Sequence, residues 1–216
     1  MKLYSYFRSS ASFRVRIALE LKGLAYDYAP IHLARREQAQ PAFAEVSADG
    51  LVPVLELDDG ARLSQSMAII EYLDETHPAP PLLPADPVAR VRVRAMAQTI
   101  ACEIHPVNNL RVLRYLVHDL QVGEDAKTAW YRHWVRQGLE AFERQLERLP
   151  AGSRGRFCGG DAPTLADCCL VPQIFNAQRF GCDLSGLPLT LAAHEACMAE
   201  PAFQRAQPSA CPDAEA

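Results

Sequence analysis

Leu51-Val52-Pro53-Val54-Leu55-Glu56-Leu57-Asp58-Asp59-Gly60-Ala61-Arg62-Leu63-Ser64-Gln65-Ser66 is the stretch whose reading decides the fold. Its first part, Val52 to Leu57, reads as a strand. Asp58-Asp59-Gly60 is a tight hairpin turn, and Ala61 to Ser64 is the returning strand. A helix is expected over Ser66 to Thr76. Pro53 opens a strand that would otherwise be interior, and proline cannot donate to a ladder. It must therefore sit at an edge or in a cis bend. If the Val52-Pro53 bond is cis, the Val52 N-H and C=O stay unpaired and can receive an extended peptide as an added strand. A simple edge proline is the plainer alternative.

Working outward, Lys2 to Tyr6 reads as a short strand and Arg8 to Ser12 as a polar turn before a helix. That helix runs from about Phe13 to Lys22, with Phe13, Ile17 and Leu21 on one face and Gly23 as its C-terminal cap. Tyr26 to Leu33 looks like a second strand, and Arg35 to Ala48 like an irregular, partly helical connection. The order strand, helix, strand, helix, strand, strand, helix is a thioredoxin-like α/β layout with a mixed four-stranded sheet, placed at residues 1–80.

His77 to Pro87 holds five prolines in eleven residues, so a linker and a domain boundary belong there. An all-α second domain is expected over 88–206. Its helices run from Val88 to about Leu120 with Pro106 interrupting, Ala126 to Leu149, Leu165 to Phe180, and about Leu189 to Met198. Thr164-Leu165-Ala166-Asp167 resembles a capping box with a structural role. Residues 207–216 have little to bury and read as a mobile tail.

Composition narrows the function. The net charge of −4 comes without any long basic block, which argues against a nucleic-acid partner. No apolar run reaches the roughly 18 to 20 residues of a membrane helix. The chain's start, MKLYSYFRSS, enters a strand pattern directly rather than a signal peptide, so no membrane association and a cytoplasmic location are expected. The seven cysteines are odd in number and show neither a C-x-x-C pair nor a Cys/His metal spacing. They read as free thiols, and no metal is expected.

Three places can carry chemistry. Ser9, Ser10 and Ser12 put hydroxyls where a strand-to-helix turn exposes backbone N-H groups and the helix dipole, a natural place for an anion. The alternative there is ordinary helix capping. Val52-Pro53 offers backbone to a peptide. Gln65-Ser66 opens the next helix and suits an α-carboxylate, or is one more cap.

Ser9-Ser10-Ala11-Ser12-Phe13-Arg14-Val15-Arg16-Ile17-Ala18-Leu19 resembles the S-S-C-S-x-R-V-R-I-A-L signature of zeta-class glutathione transferases, which include maleylacetoacetate and maleylpyruvate isomerases. The resemblance continues through Leu51-Val52-Pro53, Gln65 to Leu73, Leu82 to Asp86, Ile104 to Asn109 and Thr164 to Gln173, and covers nearly the whole chain. It implies a glutathione S-transferase fold with glutathione as cofactor. It also implies a small dicarboxylic keto-acid as substrate, a homodimer, and cis-trans isomerisation of a maleyl keto-acid in aromatic compound catabolism. A general transferase conjugating glutathione to electrophiles is the alternative activity, and a non-catalytic module a further one.

Carried over residue by residue, the resemblance makes Ser9, Ser10 and Ala11 the catalytic thiol-binding turn. Val52, Pro53, Gln65, Ser66, His105 and Asn109 become glutathione contacts, and Arg8, His105, Arg111 and Arg179 substrate contacts. His105 is read as lying at a helix break made by Pro106. Two departures stand out. Ala11 replaces the signature cysteine, and Ser47-Ala48-Asp49-Gly50 replaces the usual N-P-x-x, which leaves the glycyl end of glutathione less defined.

Overall fold

A computed structural model describes residues 1–215. The chain forms two compact units, Met1–Leu82 together with everything from Met198 onward, and Leu83–Cys197.

The first unit is built on a four-stranded mixed sheet in the order β2-β1-β3-β4. Its strands are β1 (Lys2–Ser5), β2 (Asp27–Pro30), β3 (Val54–Glu56) and β4 (Arg62–Ser64), and its α-helices are α1 (Ser10–Leu21), α2 (Pro41–Ala44), α3 (Ser66–Thr76) and, late in the chain, α10 (Pro201–Ala206). β1 pairs with β2 in parallel and with β3 antiparallel, and β3 pairs antiparallel with β4 across the Asp58-Asp59-Gly60 turn. The hairpin is where the sequence puts it because Gly60 takes φ +86°, which a side chain would resist. Leu3 and Leu55 face each other in register and are wholly buried, as are Ile17, Leu19, Ile69 and Leu73 from the covering helices. The expected strands are each trimmed by a few residues, while α3 has the expected limits. Helix α1 begins earlier than expected, at Ser10, because Ser9 caps it.

The C-terminal segment departs from expectation. It forms α10 and a short 3₁₀ turn, Pro208–Ala210, and groups with the first unit. Phe203 and Ala206 bury themselves against α1, and Cys211 is only 8% exposed. The expected tail, 207–216, has more to bury than its composition suggests, because Pro208 and Cys211 are both buried. Ala216, the last residue of the expected tail, lies outside the described residues.

The second unit contains α4 (Pro87–Gln98), α5 (His105–Val107), α6 (Leu110–His118), α7 (Glu124–Glu147), α8 (Leu165–Arg179) and α9 (Pro188–Ala199). Here the expected interruption at Pro106 is corrected. Residues Thr99–Ile104 form a π-helical segment in which the His105 amide donates to the Ile100 carbonyl, and the chain passes through Pro106 still helical. The wider π turn absorbs the donor that proline lacks. The break comes later, at Asn108, and Asn109 caps α6. At the start of α8, Thr164 and Asp167 form the expected capping box, with the Thr164 N-H and hydroxyl both donating to Asp167 Oδ2 at 2.7 Å. Burial pushes the Asp167 carboxyl above the usual carboxylate range.

The π segment packs on α7 at Gly138, where a Cβ would lie 2.2 Å from Ile104 Cγ1. Alanine at this position gains about 1 kcal/mol of helix propensity. It also overpacks a stiff, buried isoleucine, at a cost of about 1 to 3 kcal/mol or more. Gly138→Ala is therefore expected to lower the thermal midpoint of the protein, measured by circular dichroism, despite the better helix former.

Candidate active site

In the first unit the sheet register gathers the three sequence-predicted segments. Tyr4 opposes Val54 and Val54 opposes Ser64, so the end of β1, the start of β3 and the end of β4 share one edge of the sheet. The serine turn leaves from the first, Val52-Pro53 enters the second, and Gln65-Ser66 follows the third. The Val52-Pro53 bond is cis, and the ladder starts only at Val54.

At the turn, the Ser9 amide donates to the Tyr6 carbonyl at 2.9 Å and the Ser9 Oγ accepts from the Ser12 amide at 3.2 Å. Capping therefore uses a lone pair of the hydroxyl, and the O-H remains a donor. The capping reading and the anion-binding reading of this serine coexist. Ser10, 5% exposed, is the first residue of α1, and Ala11 follows it half-buried. Ser12 separates from the other two. It is wholly buried, and its hydroxyl has no hydrogen-bond partner among the described residues. Neither α1 nor α3 carries an acidic side chain in its first turn, so neither N-terminus is already neutralised by the protein.

Gln65 is the cap residue of α3 and adopts φ 67°, ψ 111°, a left-handed φ for a residue with a Cβ. Its side chain is exposed and donates from Nε2 to Asp49 Oδ2 at 3.2 Å. The altered Ser47 to Gly50 loop is thus ordered by its own side chains, since Ser47 Oγ donates to Asp49 Oδ1 at 2.8 Å and accepts from the Leu51 amide at 3.1 Å. Ser66 is buried, and its Oγ receives the Arg14 Nη1-H at 3.3 Å, leaving the Ser66 O-H as a donor. The sequence reading missed Arg14 and Asp49 as supports of the site. Asp49 had a signal in the S-x-D-G turn, whereas Arg14, two residues from Arg16 on one helix, read as part of a solvated face.

Of the arginines, Arg8 belongs to the first unit and Arg111 and Arg179 to the second. Arg8 is exposed and lies over the Phe7 ring at 4.8 Å. The Glu215 carboxyl is held below its ordinary range by a hydrogen bond from His32, and the charges of Arg35 and Arg8 add to this.

In the second unit, His105 Nε2 and Asn109 Nδ2 are 3.5 Å apart. Asn109 Oδ1 accepts from the Arg111 amide at 3.1 Å, and the Arg111 side chain points outward without an ion pair among the described residues. Arg179 ends α8, exposed and stacked over Phe180 at 4.9 Å. One turn of α7 serves both groups. Trp130 Nε1 donates to the Val107 carbonyl at 3.0 Å and Asn108 donates to the Tyr131 carbonyl, while the Tyr131 ring stacks on Phe180 at 3.9 Å. Burial raises the Tyr131 phenol pKa, partly opposed by Arg179. Tyr131 was also missed, because an aromatic at helical spacing reads as core.

Comparison with known proteins shows the family. Residues 8–76 match the glutathione S-transferase N-terminal domain, and residues 128–199 the glutathione S-transferase C-terminal domain. A maleylpyruvate isomerase from a Ralstonia species is 49% identical over 214 residues, covering 99% of both chains. This chain belongs to the zeta-class glutathione S-transferase family. The holo structure of a bacterial zeta-class maleylpyruvate isomerase superposes with a TM-score of 0.96 at 47% identity, covering 100% of both chains. The maleylacetoacetate isomerase of Anaeromyxobacter dehalogenans, solved with dicarboxyethyl glutathione and citrate in its active site, has a TM-score of 0.88 at 46% identity, covering 100% of this chain and 97% of that one.

Gln65, which the family resemblance makes a glutathione contact, is held in a strained conformation. Holding Gln65 at positive φ costs about 1 to 3 kcal/mol, which glycine would largely avoid. Gln65→Gly is expected to raise the melting temperature while weakening glutathione binding several-fold, measured by scanning fluorimetry and titration calorimetry on the same sample.

Proposed function

We propose that this chain is a glutathione-dependent cis-trans isomerase that converts a maleyl keto-acid, maleylacetoacetate or maleylpyruvate, to its fumaryl isomer in aromatic compound catabolism. The observation that carries this reading is the serine pair opening α1, with the Ser9 O-H free to donate, in a chain 49% identical to a maleylpyruvate isomerase over 99% of its length.

Glutathione supplies the nucleophile. Its thiolate adds to one carbon of the conjugated cis double bond, and the electron pair moves onto the carbonyl oxygen as an enolate. The former double bond, now single, rotates. The enolate then collapses, the trans double bond forms, and the thiolate leaves unchanged. An ordinary thiol of pKa about 8.5 is only a few per cent ionised at neutral pH. Lowering that pKa by about two units needs about 2.7 kcal/mol in favour of the anion. A hydroxyl donating to a charged sulfur contributes about 1.5 to 3 kcal/mol, and a helix N-terminus about 0.3 to 1 more. Ser10 and Ser9 at the start of α1 suffice.

The remaining roles follow from chemistry. Val52 pairs its backbone with the cysteinyl unit beside Pro53, and Gln65 and Ser66 take the γ-glutamyl carboxylate at α3. His105 and Asn109 add polar contacts to glutathione and a donor for the enolate. Arg8, Arg111 and Arg179 hold the substrate carboxylates, for which a planar fork is suited. The first unit is thus the glutathione-binding domain and the helical unit the substrate-binding domain. We also infer a cytoplasmic homodimer. No helix among the described residues is long and apolar enough to cross a membrane, and Val88 and Val91, 53% and 59% exposed on α4, offer an apolar face to a second copy.

Both maleyl substrates should be assayed by absorbance with and without glutathione. Turnover that depends strictly on glutathione is expected, and equal turnover in its absence would defeat the mechanism. Ser10→Ala should lower kcat by about 10- to 100-fold with little change in glutathione affinity, because the lost hydrogen bond, about 1.5 to 3 kcal/mol, falls on the anion and not on the bound tripeptide. Ser9→Ala should follow in the same direction with a smaller loss, together with about 1 kcal/mol of lost helix capping.

A further inference from the structure

The last residues of the chain meet the serine turn from behind. Asp213 Oδ2 accepts the Phe7 amide at 3.2 Å, two residues before Ser9, and Asp213 Oδ1 accepts the Tyr28 hydroxyl at 2.6 Å. The carboxylate is therefore oriented at both oxygens. On the other side of the same residue, in the next peptide unit, Arg16 Nη2 donates to the Phe7 carbonyl at 3.1 Å, and Arg16 Nε to the Ala206 carbonyl at 2.9 Å. Cys211 is buried in one apolar cluster with Tyr6, Phe7, Phe43, Val52 and Val54. His32 Nδ1 accepts the Arg35 amide at 3.2 Å, so its Nε2 carries the proton and donates to Glu215 Oε1 at 2.7 Å. Every one of these contacts lies within the first unit.

We infer that Asp213 is a positioning residue for the glutathione sulfur, holding the peptide between Phe7 and Ser9 so that the Ser9 and Ser10 hydroxyls aim at the thiolate. The inference rests on the reading of the serine turn given above. An amide that loses its acceptor next to a four-residue link from β1 to α1 lets that link rotate, and a hydroxyl displaced by even 1 Å forfeits much of a hydrogen bond whose strength is steep in distance.

Charge and geometry predict opposite signs here, which makes the idea decidable. If Asp213 acted only through its charge, removing it would take a negative group away from a developing anion and lower the bound thiol's pKa. If it acts by position, its removal raises that pKa. Asp213→Asn keeps an oxygen for the Phe7 amide and an amide group that the Tyr28 hydroxyl can accept from, while discarding the charge.

The test is an ultraviolet titration of the thiolate in the complex of full-length protein with glutathione, run beside the pH profile of kcat. Asp213→Ala is expected to raise the bound thiol pKa by about one unit, so that turnover on the acid limb falls about tenfold and recovers at alkaline pH. The KM for glutathione should stay within about twofold. Asp213→Asn should titrate within about half a unit of the parent. A fall in pKa in both variants, or an unchanged pKa accompanied only by a lower melting temperature, overturns the inference. Should Asp213→Ala not fold, Tyr28→Phe decides the matter, because it loosens only the second anchor. A smaller rise supports positioning, and no rise overturns it. A parent complex whose thiol titrates at an ordinary value would overturn the serine-turn reading itself, and this shows before any variant is compared.

Discussion

A guanidinium buried to 1% exposure among neutral oxygens is the constraint on which the first unit depends. Arg16 cannot shed its charge, and a buried cation left without partners would cost several kcal/mol. Its donors reach the Ser5 hydroxyl at 3.2 Å, the Tyr6 and Phe7 carbonyls, and the Ala206 carbonyl, with its plane over the Phe13 ring. These partners come from the end of β1, the turn after it, and a helix 190 residues further along the chain. None of them carries a charge, so the cation is not cancelled locally. It is held by dipoles, three of them from the segment preceding the serines and one from the end of α10, and satisfying it ties the start of α1 to both.

That origin explains why sequence reasoning located the site but not its supports. The hairpin at Asp58 to Gly60, the α3 limits, the Val52-Pro53 bend and the Ser9 turn are all local signals, set by turn chemistry and by residues three or four apart, and the structure carries each of them. Arg14 and Arg16 gave the opposite impression, because two charges on one helix normally mark its wet side. They are buried because their partners, Ser66 and the backbone near Ala206, are supplied by segments distant in sequence. The tail failed for the same reason. Asp213 and Cys211 look like solvated loop residues until the surface they cover is known. Pro106 misled differently, since a single-residue rule cannot anticipate a π turn that removes the need for the missing donor.

Arg14 also joins the two helix openings. Its side chain leaves α1 and ends on Ser66, so the polar starts of α1 and α3 are held by one rigid cation rather than by two independent loops. Asp49 does comparable work from the loop before β3, where it fixes Gln65 in a conformation the backbone would not choose. Strain of this kind persists only where neighbours over-determine it. Here the neighbours are the Ser47 turn on one side and the Ile69 amide, which donates to the Gln65 carbonyl at 3.0 Å, on the other.

The replacement of the signature cysteine by Ala11 sharpens what this architecture must accomplish. Within the first unit the only protein thiol is Cys211, and burial raises its pKa above the ordinary thiol value, which keeps it protonated and poorly nucleophilic at neutral pH. Within the first unit no other cysteine is present to compete for the donors at the start of α1. The serine turn, free of a neighbouring thiolate whose negative charge would oppose ionisation, can commit its hydroxyls and its helix dipole to a single borrowed anion. On the proposed mechanism, a protein thiol at position 11 would have to share that field, so the alanine would concentrate the stabilisation on glutathione, and the burden of placing it would fall on the segment behind the turn.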